Sequence, residues 1–314
     1  MKIIKLYLFL LALICSCSSD DSNSSEKWIE VNSNTFNDLV DVEFLNENFG
    51  VIGGGIGTLL KTEDGGKNWQ PLNVGLNDSF FKVFILSEND FFTSRIGIYR
   101  TKDGGETFVE LGNSSGFGSS IFDIHFFDSS NGIICKSGTL YKTSDGGNSW
   151  NNVYNEFGFA NKLMFPSNKV GYLGGGNNFD NVNFGELHKT IDGGENWSEI
   201  TLPSEMENSN ITSIYFLTEN IGYLSNVNNN LYTTKNGGLH WNKISSNHNF
   251  RDMVFIDELT GYAIGGSSIF KTENGGLDWA KDYNDNQIIL SSITKTPNNR
   301  IFAVGNNGKI LSMK

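Results

Sequence analysis

Proline, cysteine and arginine are nearly missing from this chain: it has 4 prolines, 3 cysteines and four arginines among 314 residues. So little cysteine excludes a disulfide scaffold, because Cys15 lies in the N-terminal leader and Cys17 at its end, which leaves Cys135 alone. Basic residues are outnumbered 23 to 35, giving a formal net charge of −12. That balance argues against nucleic acid and anionic lipid surfaces as partners. Helical periodicity is absent beyond the N-terminus, as is any second long apolar run. The glycine triplets 53–55 and 174–176 therefore precede no helix whose N-terminus could hold a phosphate. Gly112-Asn113-Ser114-Ser115-Gly116 likewise lacks the strand–turn–helix setting of a nucleophile elbow. The histidines at 125, 188, 240 and 248 have no metal-ligand spacing, so neither metal nor cofactor is expected.

Glycine and repetition are abundant. Six phrases recur: KTEDGGKNW, RTKDGGETF, KTSDGGNSW, KTIDGGENW, TTKNGGLHW and KTENGGLDW. Their fourth residues are Asp64, Asp103, Asp145, Asp192, Asn236 and Asn274, at intervals of 39, 42, 47, 44 and 38 residues. A period near forty marks an array of similar supersecondary units. The unit from Phe250 to Asp282 holds four short runs suited to strands, separated by turns rich in Gly, Asn and Asp. Four antiparallel strands per repeat describe one blade of a β-propeller.

The phrase itself is a turn device. Gly-Gly supplies positive φ, the preceding Asp or Asn accepts from the turn's own N–H groups, and the hydroxyl two residues earlier can do the same. The closing aromatic, Trp69, Phe108, Trp150, Trp197, Trp241 or Trp279, covers apolar area. After the sixth phrase, residues 290–312 supply three strands and stop, while Trp28-Ile29-Glu30-Val31 begins with a phrase-like tryptophan and has no partner of its own. The expectation is an all-β fold: one seven-bladed propeller over residues 28–314, its last blade completed by the N-terminal strand. Closure of this kind removes two sheet edges.

The phrase resembles the Asp-box, or BNR, repeat of sialidases, sortilin-type receptors and some glycoside hydrolases. The longer pattern, Phe-x-Asp, Gly-Tyr, then the phrase, is most similar to the photosystem II stability and assembly-factor propellers. The resemblance covers residues 28–314 and implies that the six box residues are structural rather than catalytic. It also raises two enzymatic readings. A sialidase requires three convergent arginines, for which only Arg95, Arg251 and Arg300 remain once Arg100 is placed in a box. A glycoside hydrolase requires two carboxylates flanking a cleft.

Residues 1–16 read as a lipoprotein signal peptide: Lys2 and Lys5, then an apolar run of signal length. Cys17 is the expected acylation site. Cys15 is the alternative, disfavoured because Ile14 precedes it. Residues 17–27 form a polar tether, and its Ser-Asp-Asp is similar to the surface-export tag of Bacteroidetes lipoproteins. An outer-membrane, surface-exposed, monomeric lipoprotein is expected, held by lipid alone.

Two groups of residues are the candidates for binding. At the starts of the innermost strands, Asp41, Lys82, Asp123, Lys162 and Asp252 place mixed charge around the mouth of the central channel, with Ser213 and Ser292 in the remaining blades. In blade 4 an insertion from Asn177 to Glu186 brings Phe179, Asp180, Phe184 and Glu186 to the face of the blade-to-blade loops. Those loops add Phe117, Phe157, Phe159 and Phe250. Exposed aromatics beside polar groups suit a protein partner or a glycan. The expected function is a non-catalytic envelope scaffold, with a surface glycan-binding protein or glycoside hydrolase as the alternative.

Overall fold

The computed structural model describes residues 28–313 apart from 76–78, 113–119, 137, 156–157, 159, 180–181 and 207–208. The described residues form seven four-stranded antiparallel sheets. Blade 1 runs from its innermost strand Leu39–Phe44 through Gly50–Gly54 and Leu59–Thr62 to the outer Gln70–Pro71. Blades 2 to 6 repeat this order, with innermost strands Lys82–Ile85, Asp123–Phe126, Ala160–Met164, Ile211–Phe216 and Asp252–Phe255. Blade 7 comprises Leu290–Lys295, Ile301–Gly305 and Ile310–Met313, and its outer strand is Trp28–Val31. Trp28 pairs with Met313 and Val31 with Ile310, so the ring closes as the sequence suggests. Among the described residues one 3-10 turn, Ser204–Met206, interrupts this β architecture.

The boxes join strands three and four of blades 1 to 6. In each, a buried threonine hydroxyl (Thr62, Thr101, Thr143, Thr190, Thr234 or Thr272) accepts from the second glycine's N–H at 2.8–3.0 Å. The same hydroxyl donates to the box Asp or Asn at 2.7–3.0 Å. The first glycine donates to the turn between strands one and two of its own blade, as Gly65 does to the Asn48 carbonyl. Both glycines hold positive φ. The box therefore fastens two turns on one face of each blade.

A second rule locks neighbouring blades together. Phe216, ending the innermost strand of blade 5, stacks at 3.5 Å on Tyr172 of blade 4, and Phe255 of blade 6 stacks at 3.5 Å on Tyr223 of blade 5. Beside each phenylalanine lies a glycine, because a Cβ at Gly222 or Gly261 would come within 2.5 or 2.6 Å of the ring. Blade 2 departs consistently: Ile85 replaces the phenylalanine, Phe91 replaces the glycine it pairs with, and Phe108 replaces the box tryptophan. The aromatic ring thus sits on the second strand in place of the first.

The core consists of apolar wedges, one between each pair of adjacent blades. Basic side chains staple the box face from blade to blade. Lys61, Arg100, Lys142 and Lys189 donate to the first-glycine carbonyl of the next box at 3.0–3.1 Å, and Arg300 donates to Gly65 at 2.7 Å across the closing seam.

Candidate functional site

One residue at or near the start of each innermost strand shares a common register. Asp41, Lys82, Asp123, Lys162, Ser213, Asp252 and Ser292 pair with Gly53, Ser94, Cys135, Gly174, Ser225, Ile264 and Val304. All therefore lie at one level, at the channel end opposite the boxes. All seven blades line a cavity of about 310 Å³ there.

The five charged residues predicted at this mouth do come together. Lys82 lies 3.1 Å from Asp41 and 3.8 Å from Asp123, and Lys162 reaches Asp252 at 3.4 Å. The Ser292 hydroxyl stands 3.3 Å from both Asp41 and Asp252. Each aspartate also accepts a backbone N–H from a following blade: Val83 to Asp41 at 2.9 Å, Leu163 to Asp123 at 2.9 Å, and Ile293 to Asp252 at 3.1 Å. The belt is thus a structural seam as well as a polar mouth. Asp41 and Asp123 are buried. Burial by itself would lower the Lys82 pKa, but Asp41, Asp123 and Asp252 outweigh it and hold the ammonium above its usual range. Burial pushes Asp123 upward, with Lys82 opposing.

One titratable residue of the cavity escaped the sequence reading. Glu43 stands two residues beyond Asp41, and burial, then repulsion from Asp41, raises its carboxyl to about 8. The two-residue period of a strand was the available signal. The same step from Asp123 leads to His125, whose ring stacks on Phe165 at 4.7 Å and whose pKa burial lowers to about 4.

The blade-4 insertion is a hairpin rather than a loop. Its strands Gly171–Phe179 and Val182–Thr190 each run nine residues and pair from Gly171↔Thr190 to Phe179↔Val182. The ladder extends about 13 Å beyond the five-residue second strands common elsewhere. The Glu186 carboxylate accepts the Gly158 N–H at 2.9 Å, tying the hairpin's base to the preceding link. Phe179 and Phe184 lie on this ladder, whereas Asp180 falls outside the described residues, as do Phe117, Phe157, Phe159 and Cys17.

Phe250 is not a surface aromatic. It is fully buried, its ring 4.7 Å from Trp279 and 5.2 Å from His248, because the link before blade 6 tucks inward to cap the wedge between blades 5 and 6. Sequence reasoning missed the exposed apolar residues on this face, Phe36 at 91 % and Ile56 at 68 %, with Ile289 and Val227. Ile56 holds φ +52° in a two-residue turn where the corresponding turn of blade 7 uses Asn307. A β-branched residue in that region is strained.

The sialidase arginines do not converge. Arg300 serves the box face through Gly65, while Arg95 and Arg251 sit on the opposite face in different blades. The box residues lie away from the channel mouth, and hydrogen bonds from Thr107 and Thr101 bring Asp103 down to about 2.

Comparison with known proteins agrees with this architecture. Residues 20–161 match the family model of the photosynthesis system II assembly factor YCF48. Over 81 residues the chain is 40 % identical to the photosystem II assembly lipoprotein Ycf48 of Nostoc sp., covering 26 % of this chain and 24 % of the relative. The match thus spans about a quarter of that curated relative's length. Among solved structures, YCF48 from Cyanidioschyzon merolae superposes with a TM-score of 0.76 at 18 % identity, over 91 % of this chain and 98 % of the other. A YCF48 bound to a D1 peptide gives 0.75 at 16 % identity, over 91 % and 94 %. A GH74 xyloglucanase from Xanthomonas campestris gives 0.63 at 12 % identity, over 83 % and 50 %. The Asp-box propeller resembling the photosystem II assembly factors is therefore shown, and the structural likenesses establish the fold.

Proposed function

We propose, starting from this likeness to the photosystem II assembly factors, that the chain is a non-catalytic binding and assembly scaffold of the cell envelope. It binds a protein partner on the face opposite the boxes and is held to the membrane by lipid on Cys17, at the outer membrane and facing outward. The geometric observation that carries the reading is the blade-4 hairpin, which projects beyond the other blades on that face. The channel-mouth carboxylates support it too: Asp41, Asp123 and Asp252 are engaged with N–H groups of neighbouring blades instead of standing as a free acid–base pair. One solved relative in fold carries a bound peptide, and the curated relatives are named as lipoproteins.

The test is affinity capture from solubilised native envelope. The bait is the purified chain, compared with a variant whose residues 177–184 are replaced by an Asn-Gly turn. That change rejoins Gly176 and Gly185, already paired, without disturbing the blade. A protein retained by the first bait and lost from the second, then confirmed by direct titration, supports the scaffold. Retention of a polysaccharide alone would replace it with the glycan-binding alternative.

A further inference from the structure

The N-terminal strand enters the ring from the box face. Trp28–Val31 takes the outermost place of blade 7, which the strand after the box occupies in blades 1 to 6, and it runs in the same sense. Trp28 begins it. Its indole meets Tyr262 of blade 6 edge-on at 6.1 Å and donates to the Asp282 carboxylate, also of blade 6. The start of this strand, Trp28, is therefore on the box face, beside blade 6. Ten residues span at most about 35 Å when fully extended. An acyl chain on Cys17 would be joined to the propeller on this face.

That face changes character on the side where Trp28 lies. Blades 4 to 6 present Ile191, Leu239, Leu259 and Leu277 at their turn tips, each more than half exposed. In blades 1 to 3 the place of Ile191 holds Glu63, Lys102 and Ser144, and the place of Leu239 and Leu277 holds Lys67, Glu106 and Asn148. Leu259 gives its carbonyl to Gly275, as Asn48, Asn89, Ser130, Lys169 and Asn220 do in the preceding blades. Side chains so exposed add little to the fold. Four aliphatic tips at polar turn positions, on the Trp28 side of one face, fit a lipid surface. The neighbouring Glu195, Glu258, Glu273 and Asp278 favour an uncharged bilayer over an anionic one.

We propose that the propeller lies box face down on the bilayer that holds its anchor, with Ile191, Leu239, Leu259 and Leu277 entering the headgroup region. The channel mouth and the blade-4 hairpin then point away from the membrane. This orientation rests on the lipid-anchor reading above.

The experiment uses the full chain, expressed in a bacterium that acylates lipoproteins and reconstituted into phosphatidylcholine vesicles. Palmitate incorporation, with Cys17→Ser as control, tests the anchor separately. In a Cys135→Ala background, an environment-sensitive fluorophore is placed by Leu259→Cys or, on the opposite face, by Val227→Cys. Quenching by nitroxide-labelled lipid is expected to be roughly threefold or more stronger at 259 than at 227. Replacing Ile191, Leu239 and Leu277 by Ser is expected to weaken quenching at 259 without shifting the melting temperature, since all three are exposed. Acylated chain with equal quenching at both sites overturns the orientation and leaves the anchor standing. Chain that takes no palmitate overturns both.

Discussion

The Val83 amide donates to the Asp41 carboxylate at 2.9 Å, across the boundary between blades 1 and 2. The same carboxylate holds Lys82, so one buried side chain satisfies a backbone group and a charge of the next blade. Replacing it leaves both short of a partner. Asp41→Ala is expected to cost about 3 kcal/mol in urea unfolding. Asp41→Asn keeps an acceptor for Val83 and is expected to cost about half as much. Equal losses would show that the ion pair, and not the amide, is what Asp41 provides.

The belt makes stability depend on pH in a definite direction. Glu43 has a folded pKa near 8, well above its ordinary value of 4.5, so the native protein keeps a proton that the unfolded chain releases. Its contribution is fully present below about 4.5 and is lost as pH rises through 8. Asp41 and Asp123 oppose its ionisation, and Lys82 assists it. The Glu43 contribution falls by up to about 1.4 kcal/mol per unit, and since His125 offsets it below about 6.5, stability is expected to fall from about pH 6.5 to pH 8. Glu43→Gln is expected to flatten that limb. His125 acts at the other end: burial lowers it to about 4, so stability is lost as pH falls below its ordinary 6.5. His125→Phe is expected to remove that offset, so that the fall due to Glu43 begins near pH 5. Urea midpoints measured from pH 4 to 8.5 check both variants, and an unchanged alkaline limb in Glu43→Gln would remove Glu43 from the account.

The blade count and the closing strand were legible because turn chemistry is local: the six boxes, and a tryptophan with no box before it, can be found by reading along the chain. The charged mouth was also legible, since Asp41, Lys82 and Asp123 recur at one place in the repeat. Their bonds were not. Asp123 answers to Leu163, forty positions away, and such pairings exist only once blades are placed side by side. The blade-4 insertion looked like a loop because glycine and asparagine, which strands disfavour, fill residues 174–178. Continuous pairing with residues 183–187 makes it a hairpin all the same. Which of the loop aromatics packs between blades was not legible, because a lone aromatic in an Asn-rich link gives no sign of its burial; for Phe250 the packing of Trp279 and Phe270 decides it.

The boxes offer a test of which atom matters. Thr143 is buried and its hydroxyl takes the Gly147 N–H at 2.8 Å, while Asp145 lies on the surface and takes the Ser149 N–H at 2.9 Å. Thr143→Val leaves a buried N–H without an acceptor and is expected to cost about 2 kcal/mol. Asp145→Asn is expected to leave stability nearly unchanged, because Asn236 makes the matching bond to His240 at 2.9 Å in blade 5. Thermal unfolding compares the two. An Asp145→Asn loss equal to that of Thr143→Val would mean that the charge, and not the turn geometry, holds the box.

Ring closure is the relationship most exposed to a single cut. Four residues, Trp28 to Val31, supply the outer strand of blade 7 and bury Trp28 against Tyr262 and Met313. Lys309 adds an ion pair to Glu30 at 2.8 Å, and no disulfide assists, since Cys135 is the free cysteine of the described residues. Starting the chain at Asn32 would bare the edge of Ile310–Met313, a row of unpaired N–H and C=O groups that another chain can extend. Such a truncation is expected to lower stability by several kcal/mol, about 3 of them from Trp28, and to associate as concentration rises. Trp28→Ala separates the two effects: it removes the side chain and keeps the strand, so it is expected to destabilise without association. Light scattering after size-exclusion chromatography, with urea unfolding of both variants, checks the pair. A truncated chain that stays monomeric with unchanged stability would mean that the wedge between blades 6 and 7 holds the ring without its closing strand.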